Sequence, residues 1–276
     1  MSALQPRKLV WLLLTALLSV QAGMAGQTFT LSVVPQFTPV DIGLRWKPLL
    51  ERLEAETGYG FQLRLFDKTP RFEADFLSGA PDLIYLNPYH MLLAAKSHGY
   101  IPLVRGENQQ NGILVVNSKG PINHPRDLNG RKIAFPAPNA FGASLYMRAL
   151  LKEHGIDFTA AYVGTHQNVY RHVVIGDAAA GGGIKTTLEK ESAALQSRLR
   201  VIYTTPGVAS HPIAAHPRLP QPVRERIVAA LIRIDSEAEG RKLLADVELD
   251  KIAIANFVRD YQPLENLKLD SYAAGK

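Results

Sequence analysis

The chain of 276 residues contains no cysteine. Disulfides, thiolate nucleophiles and cysteine-ligated metal sites are therefore excluded, and so is a lipid anchor attached through an N-terminal cysteine. A chain without cysteine is compatible with the cytosol, and equally with an exported protein that folds without disulfides. Other features of the sequence must indicate the compartment.

Catalytic signatures are also missing. The sequence has no Gly-x-Ser-x-Gly nucleophile elbow and no His-Glu-x-x-His zinc motif. The glycine run at 181–183 is not followed by Lys-Ser or Lys-Thr at the spacing of a phosphate-binding loop. We therefore predict that the protein is not an enzyme and needs no cofactor.

The formal net charge is +6, but the basic residues form no run. Lysine and arginine alternate with glutamate in segments 47–56 and 224–242, a pattern typical of solvent-exposed helix faces. Nucleic-acid binding is not expected, because no basic stripe with interleaved aromatic residues is present. A mild positive field of this kind favours small anionic ligands.

The sequence has one marked hydrophobic run, Leu9–Val20, near its N-terminus. It follows Arg7 and Lys8, and small residues up to Ala25 come after it. About a dozen apolar residues are too few to span a membrane, which takes roughly 20. The pattern predicts a signal peptide over residues 1–25, cleaved near Ala25, and hence a soluble exported protein. A retained membrane anchor is the alternative interpretation.

The remaining sequence has a globular composition, with 46% hydrophobic and 20% charged residues, and alternates strands with helices. Such alternation predicts parallel sheets with helices on both faces. An apolar strand at 113–116 precedes a second alternating unit. We therefore predict two α/β lobes joined by a hinge: lobe 1 comprises residues 26–116 and 207–276, and lobe 2 comprises residues 117–206.

Local patterns add finer expectations. Helical periodicity predicts helices over 187–199 and 252–258, whereas the proline-rich segment 204–222 is expected to be irregular. His90 and His98 share the helix predicted over 88–98, and both are expected to face solvent.

The stretch 135–151 is the strongest candidate for a ligand site. A short apolar strand runs into a turn with two prolines, and helical spacing begins at Leu145. Asn139 is suited to cap that helix, and Gly142 admits a close backbone approach. The free N–H groups and partial positive charge of a helix N-terminus can hold an anion. An ordinary capped helix would show the same pattern.

Four segments resemble, in the same order, the periplasmic solute-binding proteins of ABC transporters for phosphate, phosphite and phosphonate. The first is Gly79–Tyr89, with an aspartate before its strand, and the second is Asn117–Lys132, with Asn-Ser and Asp-Leu-x-Gly. The turn before Leu145 is the third, and Gly164-Thr165-His166, similar to a Gly-Ser-His motif, is the fourth. The resemblance covers essentially the whole chain after the predicted signal peptide.

The resemblance implies a type II periplasmic binding protein fold, in which two α/β lobes joined by a hinge close on a ligand. It also implies a monomer that captures a small oxyanion similar to phosphonate, phosphate or phosphite and delivers it to an ABC transporter permease. The residues that correspond to the family's ligand-binding positions, or lie beside them, are Tyr85, Asn87, Asn139, Ala140, Phe141, Gly142, Thr165, His166, Gly183 and His211.

Several of these positions depart from the family's pattern. Asn139, Ala140 and Phe141 stand where the family has a serine-rich loop, so three hydroxyl donors are absent. Segment 180–183 and His211 stand where the family has acidic residues, a change expected to make the cleft more positive. Phe141 is expected to add an apolar wall to the ligand site.

Two alternatives stay open. The lobes could bring His166 and His211 together to bind Cu or Zn, although neither has a second histidine spaced for one helix turn. The protein could equally present its ligand to a membrane sensor or signalling protein instead of a permease.

Overall fold

The computed structural model describes residues 26–273, and the predicted signal peptide lies outside the described residues. The strands are β1 (Thr28–Val33), β2 (Gly60–Arg64), β3 (Leu83–Tyr85), β4 (Ile101–Gly106), β5 (Gln109–Gln110), β6 (Gly112–Asn117), β7 (Arg131–Phe135), β8 (Phe158–Tyr162), β9 (Ala180–Ile184), β10 (Leu199–Thr204), β11 (Val208–Ala209), β12 (Pro212–Ala215) and β13 (Ile252–Ile254).

The α-helices are α1 (Pro39–Thr57), α2 (Thr69–Leu77), α3 (Pro88–His98), α4 (Tyr146–Glu153), α5 (His166–Ile175), α6 (Lys185–Glu189), α7 (Ala193–Gln196), α8 (Gln221–Ser236), α9 (Ala238–Asp246) and α10 (Phe257–Asp260). A π-helical turn, Phe141–Leu145, directly precedes α4. Short 3-10 turns occupy Pro125–Leu128, Gln262–Leu267 and Leu269–Ser271.

The first sheet has the strand order β13-β4-β12-β3-β1-β2. Strands β1, β2 and β3 are parallel and alternate with α1 and α2, whereas each pairing of β4, β12 and β13 with its neighbours is antiparallel. Trp46 and Leu49 of α1 are buried against the core of this sheet, together with Ile227 and Leu231 of α8. Burial of this apolar stripe fixes both helices on the sheet.

The second sheet has the order β10-β6-β9-β7-β8. Strand β7 is parallel to β8 and β9, and β6 is antiparallel to β9 and β10. Alternate residues of β6 point to opposite faces. Ile113 therefore packs with Val169 of α5, whereas Leu114 packs with Met147 of α4. Helices cover both faces, as the alternation of strands and helices predicted.

A two-stranded ladder of β5 and β11 lies where the chain passes between the two sheets. The predicted division at residue 116 was misplaced, because the whole of β6 pairs with strands of the second sheet. We propose that the lobes divide at 107–111 and 205–211, so that the first lobe carries the first sheet and the second lobe the second.

None of the helices within residues 26–273 is long and apolar enough to cross a membrane.

Three local predictions were wrong. Segment 252–258 is not one helix, because Ile252–Ile254 extends to pair with β4 and Asn256 then caps α10. Segment 187–199 is interrupted, since Ser192 starts a new helix by accepting a hydrogen bond from the Leu195 N–H. The segment expected to be irregular contains Pro212–Ala215, an inner strand that tolerates proline at its first position.

Gly112 and Gly43 form a matched pair for testing how tightly β6 is packed. A Cβ at residue 112 would lie 2.1 Å from the Gly142 carbonyl oxygen, whereas a Cβ at residue 43 in α1 would meet only Leu65, at 3.5 Å. We expect Gly112→Ala to lower the free energy of unfolding by about 1–3 kcal/mol. Gly43→Ala should leave it unchanged or raise it by about 0.5–1 kcal/mol. Urea denaturation of both variants checks this, and equal stabilities would contradict the close packing.

Candidate functional site

The loops that follow β3 and β7 meet between the two lobes. The Asn87 side chain donates from Nδ2 to the Asn139 carbonyl oxygen over 3.2 Å, and it caps α3 by accepting from the His90 N–H. Asn139 in turn donates from Nδ2 to Glu73 Oε1 over 2.8 Å. Polar side chains of the first lobe are thereby joined to the strongest ligand-site candidate of the second.

His90 completes this network and corrects a prediction. Its side chain is fully buried between the rings of Phe72 and Phe76, and its Nε2 lies 2.9 Å from Glu73 Oε1. Burial alone would raise the pKa of Glu73, but the bonds from His90 and Asn139 hold it below its usual value. The expectation that His90 faces solvent was wrong, and sequence reasoning also missed Glu73.

Tyr85 ends β3 in a buried aromatic stack. Its ring lies 5.0 Å from the ring of Trp46 and 5.5 Å from that of His211, measured between centroids. Only 2% of Tyr85 is exposed, and its hydroxyl finds no hydrogen-bond partner within residues 26–273. An unsatisfied buried hydroxyl costs free energy, so this group is suited to a ligand that completes it. Burial and the charge of Glu248 raise the pKa of Tyr85, which keeps the O–H protonated as a donor.

His211 stacks on Tyr85 from the crossing that leads into β12. Burial, aided by the nearby His90, lowers its pKa to about 3. Burial also lowers the pKa of His166 to about 4. Both imidazoles are therefore neutral at neutral pH. The expectation that His211 makes the cleft more positive was wrong, because the same burial that places the ring near the site removes its charge.

The turn from Ala140 to Leu145 offers backbone donors. The Ala140 carbonyl accepts from the N–H groups of both Ser144 and Leu145, which defines the π-helical turn. The N–H groups of Phe141, Gly142 and Ala143 have no backbone acceptor within the described part of the chain. Asn139 does not cap this turn, since Ala140 occupies the cap position and the Asn139 side chain crosses to Glu73. The hydrogen-bond donors that this turn offers thus lie in the main chain.

Close backbone contacts hold this turn on the second sheet. The Gly142 carbonyl oxygen lies where a Cβ of Gly112 would be, and the Ala143 carbonyl oxygen lies 2.0 Å from the position of a Cβ at Gly182. A Cβ at Gly142 would lie 2.9 Å from Ile184 Cδ1, the end of a flexible side chain that can move aside. Glycine is therefore required on the strand side of the contact, at Gly112 and Gly182.

The Phe141 ring does not form the predicted apolar wall of the ligand site. It stacks on Tyr146, with ring centroids 5.5 Å apart, and is 3% exposed. This pair packs with Tyr89 of the first lobe and with Leu264 and Leu269 of the C-terminal segment. The side chain therefore joins the two lobes, and its backbone N–H is the group left to face a ligand.

Thr165 and His166 begin α5 beside the same turn. The Gly164 N–H donates to the Pro136 carbonyl oxygen over 2.9 Å, which fixes the start of α5 next to the turn. The Thr165 hydroxyl caps the helix by accepting from the Asn168 N–H. The buried Nδ1 of His166 has no hydrogen-bond partner within residues 26–273. It is therefore a candidate for a hydrogen bond with a ligand.

Gly183 lies in β9, where its missing side chain is explained by packing. A Cβ at this position would lie 2.4 Å from the hydroxyl of Tyr170. The space that glycine leaves is thus filled by Tyr170 of α5, and not by a ligand.

The buried Oε1 of Gln110, in the β5–β11 ladder, lacks a hydrogen-bond partner within the described chain, and sequence reasoning missed it. No motif marks this residue, since its burial depends on the chain crossing.

A metal site finds no support in the geometry. No group of three or more His, Asp or Glu side chains within residues 26–273 lies close enough together to hold a metal ion. His211 stacks on Tyr85 of the first lobe, and His166 lies in the second lobe at the start of α5. The arrangement offers hydrogen-bond donors to a small ligand instead.

The sequence profile of the periplasmic substrate-binding protein of phosphonate ABC transporters matches residues 31–261. The chain therefore belongs to this family of transporter substrate-binding proteins. The phosphate-import protein PhnD of Mycolicibacterium smegmatis is 25% identical to it over 183 residues. That match covers 59% of this chain and 57% of the relative, so the chain spans little more than half the relative's length.

Solved structures share the fold along nearly the whole chain. PhnD1 of Prochlorococcus marinus, in complex with methylphosphonate, superposes with a TM-score of 0.78 at 15% identity, covering 89% of this chain and 98% of that one. PA3383 of Pseudomonas aeruginosa, a phosphonate-transporter binding protein, gives a TM-score of 0.73 at 14% identity, covering 91% and 90%. The predicted type II periplasmic binding fold is confirmed.

The buried neutral histidines predict acid lability. Their pKa values, about 4 for His166 and about 3 for His211, lie below the ordinary value of 6.5 that they regain on unfolding. The unfolded chain therefore binds more protons as the pH falls below 6.5, and stability present above that pH is lost towards pH 4. We expect His211→Gln and His166→Gln to reduce the drop in melting temperature between pH 7 and pH 4.5.

The exposed His154 provides a control, because His154→Gln should keep the wild-type drop. An identical pH profile for all three variants and the wild type would contradict this origin of acid lability.

Proposed function

We propose that the protein captures a small phosphorus oxyanion, of the phosphonate, phosphate or phosphite type, between its lobes and delivers it to the permease of an ABC transporter. Family membership and two similar proteins, a phosphate-import protein and a protein solved in complex with methylphosphonate, support this class of ligand. The signal-peptide pattern supports a periplasmic location, with cleavage near Ala25. The proposal is for a monomeric carrier that performs no covalent chemistry.

Donors without a partner in both lobes support the proposal. The Tyr85 hydroxyl belongs to the first lobe, and the N–H groups of Phe141, Gly142 and Ala143, which have no backbone acceptor within the described residues, belong to the second. His166 adds a ring nitrogen without a partner. Oxyanions accept several hydrogen bonds at once, so one ligand can satisfy donors that would otherwise be buried and unpaired.

Closure is the mechanism that this arrangement supports. The lobes touch at Asn139–Glu73, at the apolar cluster around Phe141, and where Lys190 Nζ lies 3.7 Å from Glu248 Oε1. The Lys190–Glu248 bridge at the surface is a small contribution. A ligand that contacts donors of both lobes binds the closed form better and shifts the population towards it. The closed form would then dock on the permease.

Titration calorimetry tests the ligand class. We expect heat from at least one of methylphosphonate, phosphite and inorganic phosphate, and sulfate serves as a tetrahedral anion without phosphorus. Cu(II) is the contrasting probe, because binding of metal without any of these anions would overturn the oxyanion proposal.

Tyr85→Phe separates ligand binding from stability. The variant removes a donor that has no protein partner, so the free protein should be as stable as the wild type or more so. A hydrogen bond to an anion contributes about 1.5–3 kcal/mol, so affinity should fall by about 10- to 150-fold. Thermal melting and calorimetry measure the two effects, and His166→Ala should likewise weaken binding without unfolding the chain.

Tyr100→Phe is the matched control in the same lobe. The Tyr100 hydroxyl donates to the Pro81 carbonyl oxygen over 2.7 Å and is buried. Its removal should lower stability and leave anion affinity unchanged. Wild-type affinity in Tyr85→Phe would rule out the proposed contact.

A further inference from the structure

Arg148 lies directly behind the backbone-donor turn. It belongs to α4, and only 8% of it is exposed. Its Nη2 donates to the Pro138 carbonyl oxygen over 2.7 Å, and its Nε donates to Ser144 Oγ over 3.2 Å. Ser144 Oγ also reaches the Pro138 carbonyl oxygen, at 3.3 Å. The guanidinium thus binds both ends of the segment that carries the free N–H groups.

No carboxylate pairs with this buried cation within residues 26–273. Its contacts are a carbonyl, a hydroxyl and the face of Tyr162, whose ring centroid lies 5.6 Å from Cζ. Burying a cation without a counter-ion is costly, and the cost lowers the pKa of Arg148 below its usual value. An anion bound on the opposite side of the turn would offset that cost.

The peptide group of Pro138 and Asn139 transmits the charge. Its carbonyl accepts from Arg148, and because the peptide is planar and trans, the Asn139 N–H points to the opposite side. A charged donor on the carbonyl polarises this peptide and strengthens its N–H as a donor. The positive charge therefore acts on the turn from outside the ligand site.

We propose that Arg148 is the positioning residue of the anion site: through the Pro138 carbonyl it supplies the positive charge that compensates for the missing hydroxyl donors of the turn. The inference rests on the proposed oxyanion function and deepens it, since the site then selects its ligand by negative charge. Neither His166 nor His211 can fill this role at neutral pH, because both rings are uncharged there.

Three substitutions separate the charge from the hydrogen bonds. Arg148→Lys keeps the charge, Arg148→Gln keeps a donor without the charge, and Arg148→Met keeps most of the volume without either. With methylphosphonate and inorganic phosphate as probes, we expect calorimetry to show the lysine variant within about threefold of the wild type. The glutamine and methionine variants should bind at least about tenfold more weakly. Should the methionine variant fail to fold, the comparison of lysine with glutamine carries the test.

Lys152→Gln is the matched control. It removes a positive charge from the same helix, where Lys152 pairs with Asp157 and does not contact the turn. Its affinity should stay within about threefold of the wild type. Wild-type affinity in Arg148→Gln, or equal losses in the lysine and glutamine variants, would overturn the proposed role. If the wild type itself bound none of the anions, the oxyanion function would fail before Arg148 is tested.

Discussion

The candidate site depends on direct contact between the backbone of a turn and the backbone of two strands. The carbonyl oxygens of Gly142 and Ala143 lie where Cβ atoms of Gly112 and Gly182 would be, so the turn cannot be lifted from the sheet without breaking this packing. A loop rich in serine carries its donors on side chains that can adjust their rotamers. Here the donors are main-chain N–H groups, whose direction is fixed by the turn itself, so rigidity takes the place of adaptable hydroxyls.

The candidate site offers an anion dipoles in front and a positive charge behind. The two histidines among the candidate residues are uncharged at neutral pH, and the Glu73 carboxylate is held by His90 and Asn139. The donors proposed to face the ligand are a phenol and peptide groups, and the charge of Arg148 lies behind the turn. A buried charge behind a turn attracts anions less over long distances than a lysine-rich cleft would.

The sequence predicted those features of the fold that depend on local pattern. Alternating apolar residues and helical periodicity identified the two α/β units, whereas the grouping of Tyr85 with the turn at 139–142 in one site stays a prediction. Contacts between distant segments were not predictable in this way. Asn139 finds its partner 66 residues earlier in the chain, so its capping propensity was overridden. His90 is buried by rings from α2, and Ile252–Ile254 is extended only because β4 accepts it as a neighbour. The sequence could not predict whether the space beside Gly183 is filled by a ligand or, as the structure has it, by Tyr170.

Trp46, whose ring packs against Tyr85, gives the protein an intrinsic fluorescent reporter. The sequence has two tryptophans, and Trp11 falls within the predicted signal peptide. An exported chain cleaved near Ala25 would thus retain Trp46 as its single indole, with its ring centroid 5.0 Å from that of Tyr85. Emission from this indole arises beside Tyr85, so occupancy of the proposed site and closure can be followed without attaching a dye. The same property makes stopped-flow measurement of the closing step possible on the unmodified protein.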